Sequence, residues 1–115
     1  MAVAAKEVTE RCVAECLECL RICWKCVNSC VQSEQANKMA ECVRLCLDCT
    51  DICTACAAII TRESRFSSQV CEACAEICEA CATECDRFRD MDQVMRQCAE
   101  TCRRCAATCR EVAAA

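Results

Sequence analysis

Six cysteines, Cys12, Cys16, Cys19, Cys23, Cys26 and Cys30, follow one another at intervals of 4, 3, 4, 3 and 4 residues. On an α-helix, residues three and four apart lie on one face, so these thiols form a single row about 27 Å long at ~1.5 Å per residue. Positions that hold Leu, Ile or Val in an ordinary bundle core hold sulfur here.

The same rule governs the rest of the chain. The spacing predicts a first helix from Val3 to Val31 and a link over residues 33–37. A second helix over Ala36 to Thr61 carries Cys42, Cys46, Cys49, Cys53 and Cys56, its seam running back to Met39 and on to Ile60. The third, Gln69 to Phe88, carries Cys71, Cys74, Cys78, Cys81 and Cys85, with Ser67 or Ser68 as the expected N-cap. The fourth, Met91 to Val112, carries Cys98, Cys102, Cys105 and Cys109, with Met95 and Met91 extending its seam and Asp90 with Gln93 reading as a capping box. Gly and Pro are absent, although each ordinarily supplies about 5–7% of a chain. Without the usual turn formers, tight hairpins and β-sandwiches are disfavoured. The expected fold is all-α: one domain over residues 1–115, an antiparallel up-down-up-down four-helix bundle with its cysteine rows facing inward.

This topology sorts the bundle ends. Met39, Met91 and Met95 gather at one end beside Cys30 and Cys85, while Val8, Ile60, Phe66 and Val112 form an apolar plug at the other. Thioethers at one mouth suggest a route by which a soft metal ion is held briefly and passed inward; ordinary core filling is the competing reading. A second stripe, Val13, Leu17, Leu20, Trp24, Val27 and Val31, runs one residue out of phase with the first cysteine row. It either meets another subunit or packs on a neighbouring helix of the same chain.

A net charge of −4 and a pI near 4.9 give no basic stripe for nucleic acid. No apolar run approaches the ~18 residues of a membrane span, and the first residues lack a basic n-region and an apolar h-region. A cytosolic, non-membrane protein is the expectation, with the trimmed mature form of an exported protein as the alternative. Twenty cysteines in a secreted chain would suggest a disulfide framework, but their strict helical spacing argues for free thiols in a reducing compartment.

Small hydrophobes alone leave such a core underpacked, since each large-to-small replacement in a core costs about 2–5 kcal/mol. Metal ions on thiolates are the natural filler. One monovalent ion per thiolate keeps the core neutral, with a proton displaced for each ion. Five zinc sites of four thiolates each would instead bury a formal charge of about −10 with no Lys or Arg on the seams to offset it. Cu(I), soft and satisfied by two or three sulfurs, fits best, and nine Cys-x-x-x-Cys pairs lie in register to receive it. A metallothionein-like Zn/Cd or general thiol buffer is the alternative. No histidine is present and no catalytic constellation is visible, so an enzyme is not expected.

The runs Cys-Val-Arg-Leu-Cys-Leu-Asp-Cys from Cys42 and Cys-Ala-Glu-Thr-Cys-Arg-Arg-Cys from Cys98, with their counterparts in the other two helices, resemble those of the copper storage proteins, bacterial four-helix bundles lined by cysteine. The resemblance covers nearly the whole chain. It implies high-capacity Cu(I) storage in the bundle, homotetrameric assembly and metal uptake through one end. Cytosolic members often have His at that end; here Met39, Met91 and Met95 stand in its place, as in the Met-lined mouths of exported relatives.

Overall fold

Lacking glycine and proline, the chain breaks its helices with short polar links. The computed structural model describes residues 3–115, and side chains from residue 6 onward. Four helices result: α1 (Val3–Gln32), α2 (Ala40–Thr61), α3 (Ser67–Asp86) and α4 (Gln93–Ala114), with a single 3₁₀ turn at Ala36–Lys38 between the first two. Each helix packs on its neighbours in sequence and α4 closes back on α1, which gives the square, up-down-up-down arrangement. The rod measures 50 × 19 × 17 Å.

Helix boundaries move where the links use their side chains differently from the sequence expectation. α2 begins at Ala40 rather than Ala36 because residues 36–38 wind into the 3₁₀ turn. α4 is capped by Asp92, not Asp90: Asp92 has extended backbone and its Oδ1 accepts from the Met95 N–H at 3.1 Å. The chain past Asp86 continues as successive turns, with Arg89 N–H donating to Asp86 O and Met91 N–H to Phe88 O, and these carry Asp90 beyond the capping position. Neither Ser67 nor Ser68 caps α3; Phe66 occupies the N-cap without a side-chain bond. Ser67 Oγ donates to Ser64 O at 2.7 Å, and Ser68 Oγ donates to Ala113 O at 3.0 Å, tying the start of α3 to the end of α4.

At the end of α2, Ser64 N–H donates to Ile59 O and Glu63 N–H to Ile60 O, a Schellman closure that places Glu63 at φ 55°. A left-handed conformation costs a non-glycine residue about 1–2 kcal/mol. Glu63→Gly is therefore expected to stabilise the protein by about 1 kcal/mol, measured as a higher urea midpoint at unchanged slope. A lower midpoint would show that the Glu63 side chain contributes more than the strain removes.

The apolar stripe of α1 divides in two. Val13, Leu20 and Val27, seven residues apart, pack against the core, whereas Leu17, Trp24 and Val31, also seven apart, are 51%, 56% and 58% exposed. The expected plug is only partly realised. Ile60 is buried and Val8 and Val112 are half-buried, but Phe66 lies outside, its ring under the Arg65 guanidinium at 4.8 Å. The α2–α3 link turns outward after Glu63, which takes Phe66 away from the bundle axis.

Candidate metal centre

Heptad-like spacing puts every cysteine of each helix on its inner face, and all 20 are fully buried free thiols. Around them the buried aliphatic side chains are few: Ile22, Ile60 and several alanines, with Met39, Met95 and Phe88 toward one end. Among the described residues, the buried polar ones are Thr50, Thr101 and Thr108. Thr50 and Thr108 hydroxyls donate to carbonyls of their own helices, Leu47 O and Cys105 O, so they are satisfied without reaching the axis. No charged residue is fully buried among the described residues; one carboxylate oxygen, Glu15 Oε2, is shielded from solvent, 3.5 Å from Arg104 Nε.

The thiols gather into overlapping sets of four with sulfur atoms within 4.8 Å of one another. Cys12, Cys56, Cys71 and Cys109 form the set nearest the apolar end. The next set retains Cys56 and Cys109 and adds Cys16 and Cys74; these two recur with Cys53 and Cys105, which recur in turn with Cys19 and Cys78. Each of these four sets shares two thiols with the next, and Cys19 leads on to a further set with Cys23, Cys49 and Cys102, so the sulfurs form a continuous column. Cross-helix pairs are close: Cys19 with Cys49 and Cys49 with Cys78 at 3.5 Å, Cys12 with Cys109, Cys46 with Cys81 and Cys56 with Cys71 at 3.6 Å.

Within helices, the i, i+4 pairs behave unequally. Cys49/Cys53, Cys74/Cys78 and Cys98/Cys102 bring their sulfurs to 4.0, 3.9 and 4.0 Å. The thiols of α1 instead reach across to α2, α3 and α4, as Cys30 does to Cys42 at 3.7 Å and Cys26 to Cys85 at 3.8 Å.

Sharing protons across these contacts separates neighbouring thiols. Cys42 is lowered to about 5 by hydrogen bonds from Cys26, Cys30 and Cys46, with burial opposing. For Cys30 the bond with Cys26 acts to lower the value, but the bond it gives Cys42, together with burial, pushes it up to about 12. Deeper in, Cys23 and Cys53 are raised, chiefly by hydrogen bonding with Cys102 and Cys105 respectively, and burial adds to the effect. Burial acts on each of these thiols in the same direction, toward the protonated form.

All three seam methionines lie at the end where α1 and α3 finish. Met39 and Met95 are fully buried, and Met91 is half-buried. Cys26 Sγ donates to Met95 Sδ at 3.8 Å, joining the thioether to the sulfur column. Ser33 Oγ donates to Met91 Sδ at 3.1 Å while accepting from the Gln35 N–H. Ser29 Oγ donates to Asp92 Oδ2, linking α1 to the cap of α4. These two serines and Asp92 were not singled out by the cysteine pattern, although the Ser33-Glu34-Gln35 link is a recognisable Ser turn.

Residues 5–114 match the family model for the copper storage protein. A cytosolic copper storage protein from Streptomyces lividans, solved with five coppers, superposes with a TM-score of 0.95 at 36% identity, covering 99% of this chain and 98% of that one. The same organism's protein loaded with 10 copper equivalents gives 0.90 at 38% identity over 94% and 85%. Copper storage protein 3 from Bacillus subtilis, in its apo form, gives 0.85 at 33% identity over 91% and 98%. No curated protein sequence matches the chain. Fold, sulfur-lined core and family match coincide over nearly the whole length, and the chain belongs to the copper storage protein family.

Proposed function

We propose that this protein stores Cu(I) in bulk along the bundle axis. The ligands are Cys12, Cys16, Cys19, Cys23, Cys26, Cys30, Cys42, Cys46, Cys49, Cys53, Cys56, Cys71, Cys74, Cys78, Cys81, Cys85, Cys98, Cys102, Cys105 and Cys109. The observation that carries this reading is the complete burial of all 20 thiols in one connected column with no carboxylate or imidazole beside them. Such a donor set selects soft ions. Each Cu(I) displaces one thiol proton, so the filled column stays close to neutral in a region that could not hold a large uncompensated charge.

Met91, Met95 and Met39 form the mouth. The half-buried thioether of Met91 captures the ion, and the buried thioethers relay it to Cys26 and Cys42 without the charge change that a carboxylate would impose. The whole chain, 1–115, works as one storage domain without catalysis. It acts in the cytosol, as its S. lividans relative does, and forms a homotetramer through the exposed row of Leu17, Trp24 and Val31.

The test is an anaerobic Cu(I) titration of the fully reduced protein against a chromophoric chelator. The expected capacity is on the order of one ion per thiol, with about one proton released per ion at neutral pH. Saturation at one or two ions would replace storage with a chaperone or sensor role.

A further inference from the structure

Among the described residues, a single sulfur side chain is within reach of solvent. All 20 cysteines, Met39 and Met95 have no exposed surface, whereas Met91, packed against the same core, is half-buried. Its backbone is held in place: the Met91 N–H donates to Phe88 O at 2.9 Å, Arg96 Nη1 donates to Arg89 O at 2.6 Å, and Ser29 Oγ donates to Asp92 Oδ2. The thioether itself accepts from Ser33 Oγ at 3.1 Å, and that hydroxyl is oriented by the Gln35 N–H it accepts.

Exposure decides which sulfur an oxidant meets. Thiolates react with peroxides faster than thioethers do, but burial withholds them, and buried cysteines are inert. A peroxide approaching this molecule therefore reaches Met91 before any thiol. A thioether sulfur has two lone pairs; the Ser33 hydroxyl engages one, so the other is the nucleophile. Its attack on hydrogen peroxide breaks the O–O bond. The sulfur is oxidised by two electrons and keeps one oxygen, the second oxygen leaves as water with both protons, and the protein neither gains nor loses a proton. The product is a polar sulfoxide, in which a hard oxygen replaces a soft donor. Because attack comes at one lone pair only, a single sulfoxide epimer forms.

We propose, resting on the storage reading above, that Met91 is an oxidation site through which peroxide closes the mouth of the column. The sulfoxide no longer captures Cu(I), while the buried thiols stay reduced. A methionine sulfoxide reductase, which takes two electrons from a dithiol and releases the oxygen as water, reopens it.

The reduced, metal-free protein is treated anaerobically with dilute hydrogen peroxide, freed of it, and followed by peptide mass spectrometry, thiol titration and stopped-flow transfer from a coloured Cu(I) complex. One oxygen should appear, on the peptide that contains Met91, with all 20 thiols still reduced. Copper transfer should slow by about fivefold or more at unchanged capacity. Of the two reductases, which take opposite epimers, one alone should restore the rate in the native protein, and each should restore part of it in Ser33→Ala. Met91→Leu, slow from the outset, should lose no further rate to peroxide. Oxidation of cysteines ahead of Met91, or an unchanged rate with Met91 fully oxidised, would overturn the gate. Equal amounts of both epimers from the native protein would overturn the role given to Ser33. A native protein that takes up only one or two ions before peroxide is added would remove the storage reading, and the gate with it.

Discussion

Filling the column with Cu(I) raises the thermal midpoint of the reduced protein by tens of degrees. A metal-free core made largely of cysteine, with Ile22, Ile60 and the methionines as its larger members, buries much less hydrocarbon than a Leu-rich bundle of the same length. Each missing large side chain forgoes about 2–5 kcal/mol. Every ion that binds only the folded column adds RT ln(1 + [L]/Kd), about 2.7 kcal/mol at a hundredfold excess over Kd. A handful of such ions already matches the 5–15 kcal/mol typical of a whole domain. One kcal/mol corresponds to several degrees in a domain of this size. Parallel anaerobic melts followed by far-UV circular dichroism, with and without metal, check this. A midpoint that stays put on loading would place the ions outside the core. The gain should shrink as pH falls, because thiols that recover their protons no longer hold the ion.

Replacing Met39, Met91 and Met95 together by Leu slows loading by about tenfold or more while leaving the final capacity near that of the native protein. Leu and Met have similar volumes, and such swaps usually cost less than about 1.5 kcal/mol each, so the bundle still folds. What the triple variant loses is the thioether line from half-buried Met91 to Met95, whose Sδ meets the Cys26 thiol. The measurement is stopped-flow transfer from a coloured Cu(I) complex, with capacity determined on the same sample. An unchanged rate would reduce the methionines to core filler. A lowered capacity at normal rate would make them storage ligands rather than a mouth.

The four cysteine rows were legible in the sequence because three/four spacing determines which face of a helix a side chain occupies, and burial of all 20 thiols follows from that alone. The pairing of thiols between helices was not. It depends on how far each helix slides along its neighbour, which link lengths constrain only loosely. Hence the reach of the α1 thiols to other helices, and the closure of Cys49/Cys53, Cys74/Cys78 and Cys98/Cys102 within their own, emerge only in three dimensions. The links misled for a related reason. Asp90 and Asp92 are equally good capping residues by type, and the turns after Asp86 decide between them. Phe66 looks like core by composition, but the left-handed step at Glu63 sends it outward.

The outer surface of this bundle carries its charged side chains, and the fully buried thiols of the column carry its cargo. Because each arriving ion replaces a proton, a full molecule and an empty one present the same external charge pattern. A cellular partner that must tell them apart gains no information from the sides of the rod. Among the described residues, Met91, whose Sδ accepts from Ser33 Oγ, is the one sulfur side chain that is not fully buried, and the column meets the solvent there.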